Sequence, residues 1–511
     1  MTARVLRRIA LALLFIAAEA ALPAAGANTL CVNQGGTGGC FGTITAAINA
    51  AVSGDTILIA GAASPYLERL TINMSLSLIG DNPATTIIDG GHAGQVIRIG
   101  LALTVTLTNL TIRNGQAGTG NNPDQWGGGI HSRATSLTLN NVVVSGNRTG
   151  GSGGGIGNET GTLSLNHSTV SGNATASPAA NPLVDGIGGS GGIGGGIYND
   201  YGTLVLNDST VSGNATGAGG AATGTGGAGG DGGTGGGIAT TFGAVTLNRS
   251  TVSNNTTGDG GAGTSTGGNG GNGGGIFDQF GQLTLNDSTL SGNQTGAGSS
   301  SGSGAGLYVV GTSFSAPLVA INTSTLSSNQ TGRGLVASAG GDGGAIYSTA
   351  YVTVTLTNAT VAYNTMDYGQ TGGGIANAGG TVNLKNSLFA HNEPPQKPNN
   401  IQDCSGTINS LGYNVMMEPD CTITPIQAGS TGDQFYVRGV IVELLADNGG
   451  PTLTNALLSG SQAVDAADDS TCSPTDQRGF PRPVFGGIAL RCDVGAFELY
   501  RFGVRLPLVV R

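Results

Sequence analysis

Residues 194–216 read GGGIYNDYGTLVLNDSTVSGNAT, and variants of this segment recur along most of the chain. Alignment on its isoleucine brings Ile130, Ile156, Ile197, Ile238, Ile276, Leu307, Ile346 and Ile375 to one position. The segments close on Asn147, Asn173, Asn214, Asn255, Asn293, Asn329, Asn364 and Asn392. In six of the eight units the anchor and the asparagine stand 17 residues apart. A fixed segment separated by variable spacers is the sequence form of a solenoid. Leu204 and Leu206 alternate with Thr203 and Val205, the period of two that a half-buried strand requires. Asn207-Asp208 then turns the chain, Ser209 to Ser212 form a second short strand, and Gly213-Asn214 turn it again. Each rung sends Ile197, Leu204, Leu206 and Val211, or their equivalents, inward. One rung cannot cover that set. Rungs stacked at the strand spacing of ~4.8 Å cover one another, and each buried aliphatic side chain contributes roughly 1.5–3 kcal/mol before entropy is subtracted.

The recurring polar residues follow the same logic. A stacked asparagine at each turn can hydrogen-bond the rungs above and below. Thr169, Thr210, Thr251, Thr289, Thr325 and Thr360 should line one outward strand face. The many Asn-x-Ser/Thr matches, such as Asn207-Asp208-Ser209, arise from the repeat, so glycosylation at any one of them has no separate support. The spacers, five residues at 148–152 but 20 at 174–193, 20 at 215–234 and 17 at 256–272, consist mostly of Gly, Ala, Thr and Ser. They lack side chains for a core and should leave the rod as loops from one edge. Tyr198, Tyr201, Phe242, Phe277, Phe280, Tyr308 and Tyr347 lie near that corner in sequence. They can stack on one another or present a platform for sugars, and they are the candidate binding residues.

Composition sets the outer bounds. The chain has 511 residues, of which 96 are Gly, and only 9% are charged. Gly is far above its usual ~7%, yet no G-X-Y period exists, so collagen is excluded. Hydrophobic residues make up 38%, too many for an acidic disordered chain. Arg4, Arg7 and Arg8 precede an apolar run from Ile9 to Ala18, and Ala25-Gly26-Ala27 offers a cleavage site. This predicts a secretory signal peptide over residues 1–27, an N-terminal membrane anchor being the alternative. No later stretch reaches transmembrane length, so no span is expected in the mature chain. Cleavage takes the formal charge from −10 to about −12, which disfavours nucleic acid as a partner. The six cysteines fall into three local pairs, Cys31 with Cys40, Cys404 with Cys421, and Cys472 with Cys492. Export favours disulfides, although six cysteines allow 15 connectivities. Neither a Cys-x-x-Cys pair nor enough histidine for a zinc site is present.

Beyond the repeats, CVNQGGTGGCFGTITAAINAAVSGDTILIA (31–60) places a short amphipathic helix, Ile44 to Val52, before the first strands. This region resembles the N-terminal cap and first rungs of the right-handed parallel β-helix of the pectin-lyase-like superfamily. The repeats are similar to those of bacterial surface proteins with that fold, including polymorphic outer-membrane proteins. SLGYNV (410–415), LADNGGPTLTNAL (445–457), GSQAVDAA (460–467), DQRGFPRP (476–483) and CDVGAFE (492–498) resemble the choice-of-anchor Q domain. The resemblance implies an all-β chain forming a single right-handed parallel β-helix with a short N-terminal capping helix and a C-terminal capping module. The expected divisions are 1–27 signal peptide, 28–115 cap and first rungs, 116–392 repeats with Gly-rich loops, and 393–511 the C-terminal module. It also implies secretion to the medium or a bacterial cell surface. The members often continue into a sorting tail, whereas this chain reads ELYRFGVRLPLVVR at its last residues.

The superfold also houses polysaccharide lyases and polygalacturonases, so catalysis needs residues of its own. Outward rung positions read mostly as Thr, Ser and Asn, and no catalytic residue is assigned. His92 in DGGH and Asp476-Gln477-Arg478-Gly479 read as turns or buried ion pairs, and Asp468-Asp469 as solvated. Asp231 and Asp259 are too sparse for a calcium repeat, and neither metal nor cofactor is expected. The sequence therefore points to a non-enzymatic surface or matrix protein that binds cell-surface glycans or other polysaccharides through its loops and one lateral face. The alternative is a polysaccharide lyase or glycoside hydrolase acting on pectin-like polymers, recognisable by two carboxylates and an Arg or Lys meeting in one lateral cleft.

Overall fold

The in-register repeats wind into three long sheets in the computed structural model, which describes residues 27–118, 125–334, 340–367, 370–393, 402–425, 432–486 and 489–500. Each rung contributes one strand to each sheet. In the quoted repeat, Ile197–Asp200 joins sheet 2, Thr203–Asn207 joins sheet 1 and Thr210–Ser212 joins sheet 3. Among the described residues sheet 1 has 14 strands, sheet 2 has 11 and sheet 3 has 13. All neighbours within these sheets run parallel, and the molecule is a right-handed parallel β-helix. Ile197 lies against Ile238, Leu204 against Val245 and Val211 against Val252, so the apolar columns are continuous. One core cluster runs from Val32 to Met416. At its N-terminal end helix α1, Ile44–Ala50, buries Ile44, Ala47 and Ile48, and Thr43 caps it by accepting from the Ala46 N–H at 3.1 Å. The expected helix thus ends two residues early. The proposed signal sequence lies almost entirely outside the described residues.

The closing asparagines form an internal ladder. Asn173 Nδ2 donates to Val144 O at 2.9 Å and to Asn214 Oδ1 at 3.0 Å, and the same oxygen accepts from the Asn173 N–H at 3.0 Å. Asn214, Asn255, Asn293, Asn329 and Asn364 repeat this arrangement. After Asn392 the ladder ends on Asp403 Oδ1 at 2.9 Å, a carboxyl that burial raises to about 7. A second, shallower ladder links Asn140, Asn166, Asn207, Asn248, Asn286 and Asn322 on the half-exposed edge of sheet 1.

The glycine-rich spacers leave the rod from one edge, and they are ordered there. They leave between sheets 3 and 2 and stack on one another as a fin, with Asn181 beside Ala222, Ile187 beside Ala228 and Ala228 beside Thr266. The backbone N–H of Gly230 donates to Gly220 O at 2.9 Å within one spacer, and that of Gly261 donates to Gly230 O at 2.8 Å between spacers. No side-chain core is needed because the peptide groups satisfy one another. A Cβ at Gly188 would stand 1.9 Å from Gly220 O, and one at Gly229 the same distance from Gly261 O. Asp231 and Asp259 accept from the N–H groups of Asn269 and Ala297 in the following spacers, at 2.8 and 2.7 Å.

Of the 15 connectivities open to six cysteines, the chain adopts the local one. Cys31, in the first strand of sheet 1, is bonded to Cys40 just ahead of α1. Cys404, in the last strand of sheet 2, is bonded to Cys421, which precedes the last strand of sheet 1. Cys472 is bonded to Cys492, both in the C-terminal region. The first two disulfides thus sit at opposite ends of the rod, where a rung has a neighbour on one side only.

Strands of the C-terminal region add further rungs up to Gln434–Phe435, and the remainder lies along sheet 3. There Thr289 Oγ1 donates to Leu453 O at 2.7 Å, Thr325 Oγ1 to Gln477 Oε1 at 2.6 Å, and Ala496 N to Thr360 Oγ1 at 2.9 Å. The outward threonine stripe therefore exists, but its C-terminal half is covered, while Thr169, Thr210 and Thr251 stay half-buried. Asp476 and Arg478 form the expected buried ion pair at 2.6 Å. Asp468, read as solvated, instead meets Lys385 Nζ at 2.8 Å, and that hydrogen bond holds its carboxyl down to about 2.

Asn255→Ala should cost at least ~2 kcal/mol of stability, because it orphans buried groups on both neighbouring rungs. Asn207→Ala, in the solvated ladder, should cost well under half of that in the same denaturant titration. Asp278 is fully buried in sheet 2; its Oδ1 accepts from Gly281 N at 2.9 Å, its Oδ2 has no partner, and burial raises it to about 7. A carboxyl raised on folding contributes stability below its unfolded value near 4 that is lost as pH rises through 7. Asp278→Asn should therefore gain on the parent protein between pH 4 and 7, by up to ~1.4 kcal/mol per pH unit, as read from paired melting curves.

Candidate functional site

Chain order dictates how side chains are laid across the outer face of sheet 2. The fin returns to the rod at each GGG, the anchor points inward, the next residue points outward, and the residue three after the anchor points outward again. The first outward column contains Arg98, His131, Gly157, Tyr198, Ala239, Phe277, Tyr308 and Tyr347 in register. The second brings Glu159, Asp200, Thr241, Gln279 and Val310 together. The corner beyond them carries Tyr201, Phe242 and Phe280, each in the left-handed region at φ 52°, 51° and 64°.

The predicted aromatics thus separate into two ladders on opposite sides of sheet 2, which corrects their assignment to one corner. Phe277, Tyr308 and Tyr347 stack with ring centroids 5.5 and 5.1 Å apart, half-buried beside the fin. Tyr198 belongs to the same column but is only 6% exposed. Trp126, the one tryptophan of the chain, meets it edge-to-face at 4.7 Å. Trp126 has room there because Gly157 beneath it lacks a side chain; a Cβ would stand 2.7 Å from Trp126 Cβ. Tyr201, Phe242 and Phe280 stack at 5.0 Å intervals on the far corner, the first two 59% and 45% exposed. Of the two ladders, only this second one contains exposed rings, Tyr201 and Phe242.

Between the ladders, toward the N-terminal end, lies a charged cluster. Glu159 Oε1 accepts from His131 Nε2 at 2.7 Å, and its Oε2 lies 3.3 Å from Arg133 Nε. Asp200 stands in register beside Glu159, one strand spacing of ~4.8 Å away. Asp200 Oδ1 accepts from the Tyr198 hydroxyl at 3.2 Å. Burial, joined by the Glu159 charge, lifts Asp200 above the ordinary carboxylate range, and burial pushes the Tyr198 hydroxyl up to about 12. His131 is completely buried and its Nδ1 has no partner. A hollow of about 380 Å³ opens beside the cluster, lined by Leu101, Ala102, Arg133, Thr160 and Gly161 among others, a size that accommodates a small ligand.

Glu159, Asp200, His131 and Arg133 were not singled out by reading the repeat as Thr, Ser and Asn. Their signal was the alignment itself: the position three after the anchor is Arg133, Glu159 and Asp200 in three successive units and uncharged in the units that follow. No group of three or more metal-ligating side chains occurs among the described residues, and no helix there is long and apolar enough to cross a membrane.

No family model matches the chain, and no curated protein matches it. Among solved structures the chain is similar to pectate lyase Pel9A, at 14% identity over 93% of this chain and 96% of that one, with a TM-score of 0.35. It is also similar to the pectin methylesterase from Aspergillus niger, at 12% identity over 81% and 90%, with a TM-score of 0.24. The parallel β-helix rests on its own three sheets, and neither likeness assigns a site.

Proposed function

We propose that the chain is an exported protein that binds a polysaccharide along the outer face of sheet 2 and processes it there. One observation carries this reading: Glu159 and Asp200 meet Arg133 and His131 at a single lateral place between two aromatic ladders. A rod built only to adhere has no need for a carboxylate held above its ordinary range by burial and a charged neighbour. The cluster therefore favours a lyase or hydrolase of pectin-like polymers over the non-enzymatic reading. Sugar rings have apolar faces, and Tyr201 and Phe242, exposed on the corner beside Asp200, suit them.

Pure adhesion to cell-surface glycans remains the second reading, favoured by the Tyr201–Phe242–Phe280 ladder, which begins beside Asp200 and runs on along the rod away from the charged cluster. Secretion or surface display rests on the N-terminal Arg-plus-apolar pattern and on three disulfides. The choice-of-anchor Q resemblance of 393–511 belongs to the same proposal.

Trp126 supplies the assay. Titration with polygalacturonate and with neutral plant and bacterial glucans should give a saturable change in its emission for at least one polymer. Gly157→Ala should displace the indole, shift the free protein's emission to the red and weaken that response. The same polymer should release new reducing or unsaturated ends. Absence of any emission change, retention on polysaccharide gels or product across the panel would overturn the reading.

A further inference from the structure

We propose that Glu159 and Asp200 are the nucleophile and the acid/base of a glycoside hydrolase that retains anomeric configuration. The proposal rests on the reading that a polysaccharide lies along sheet 2, and it adds to that reading a reaction and a stereochemical outcome.

Spacing is the first argument. Retaining enzymes hold their two carboxyl groups about 5–5.5 Å apart, whereas inverting ones leave about 6.5–9.5 Å for a water. Glu159 and Asp200 are in-register partners on adjacent parallel strands, so both side chains leave the sheet on the same side about one strand spacing apart. A backbone spacing of ~4.8 Å lies nearer the shorter separation than the longer one.

The two carboxyls also have unlike surroundings, as the two roles require. Glu159 is held between His131 Nε2 at 2.7 Å and Arg133 Nε at 3.3 Å. Burial and the facing Glu159 charge raise the Asp200 carboxyl, against the Tyr198 hydroxyl that donates to it at 3.2 Å. A third observation comes from His131. Its side chain is wholly buried within the cluster, and its Nδ1 is left without a partner. An unpaired buried nitrogen is costly in a merely structural ion pair.

The reaction balances with water as the sole co-substrate. Asp200 gives its proton to the glycosidic oxygen as the bond from that oxygen to C1 breaks, and Glu159 Oε forms an ester to C1. Asp200, now a carboxylate, takes a proton from water while the water oxygen attacks C1 and the ester bond breaks. One sugar chain leaves with a new reducing end of unchanged configuration, and Glu159 and Asp200 return to their starting states.

The test uses the full mature chain and the polysaccharide that shifts Trp126 emission most. Nuclear magnetic resonance of the first products should show retained configuration. E159Q and D200N should each lower cleavage by roughly 10²–10⁴-fold while leaving the emission titration within a few-fold of the parent. A 2-deoxy-2-fluoro glycoside of the same sugar should label the parent protein on Glu159, as read by peptide mass spectrometry. That measurement stands even if a variant fails to fold. Inverted products, unsaturated ends, a label elsewhere, or full activity in E159Q would overturn the catalytic pair. So would binding with no cleavage, and in that case the binding reading survives. If no polymer binds, the reading beneath the proposal fails with it.

Discussion

A buried asparagine at the same corner of every rung is the constraint on which the architecture depends. Its amide donates to the rung before and the rung after, and its oxygen accepts two N–H groups from the preceding rung. Only one axial register satisfies all of these groups. A slip of one residue would orphan a buried amide and turn the aliphatic columns outward together. The ladder therefore fixes where each strand of sheet 3 ends and where each spacer begins. The spacers leave at one corner for that reason, and they stack because their starting points already do. Asp403 ends the series by offering a carboxyl oxygen to the last amide, so the C-terminal region is joined to the ladder as well as to the apolar core.

The candidate site follows from that register. Aligned rungs turn single residues into columns, and columns turn local substitutions into a surface. Three consecutive departures from the uncharged norm, Arg133, Glu159 and Asp200, become neighbours although they lie 26 and 41 residues apart in sequence. The adjacent column departs too, since Gly157 admits Trp126 where its neighbours carry His131 and Tyr198. The Glu159 and Asp200 rungs also precede the longest spacers, so the fin stands beside the site and, with Trp126, shields Tyr198 and Ala239.

How much was legible in the sequence differed with the physics of each part. The period of two in Thr203–Asn207 and the recurrence of Ile197 and Asn214 determine strands, stacking and core, because burial imposes those patterns directly. The pairing of Cys31 with Cys40, Cys404 with Cys421 and Cys472 with Cys492 could be anticipated from local spacing. The fin could not, because composition shows only that glycine segments lack side chains. Whether their peptide groups meet depends on how the rungs below align them. The site was hidden for a related reason: Glu159 and Asp200 look like isolated charges until the register is known. The aromatics divided because Tyr198 and Tyr201, three residues apart, fall on a strand and on a left-handed turn.

The fin carries a consequence for how this protein can change over generations. In the apolar core, Val, Leu and Ile already exchange along a column, as Val211, Val252 and Leu290 show. The fin tolerates no such exchange where peptide planes touch, since even one methyl group would collide with a carbonyl. Its length, by contrast, is unconstrained by any core and varies from one rung to the next. Drift in the rod is therefore expected as substitution, and drift in the fin as insertion and deletion of whole glycine-rich steps.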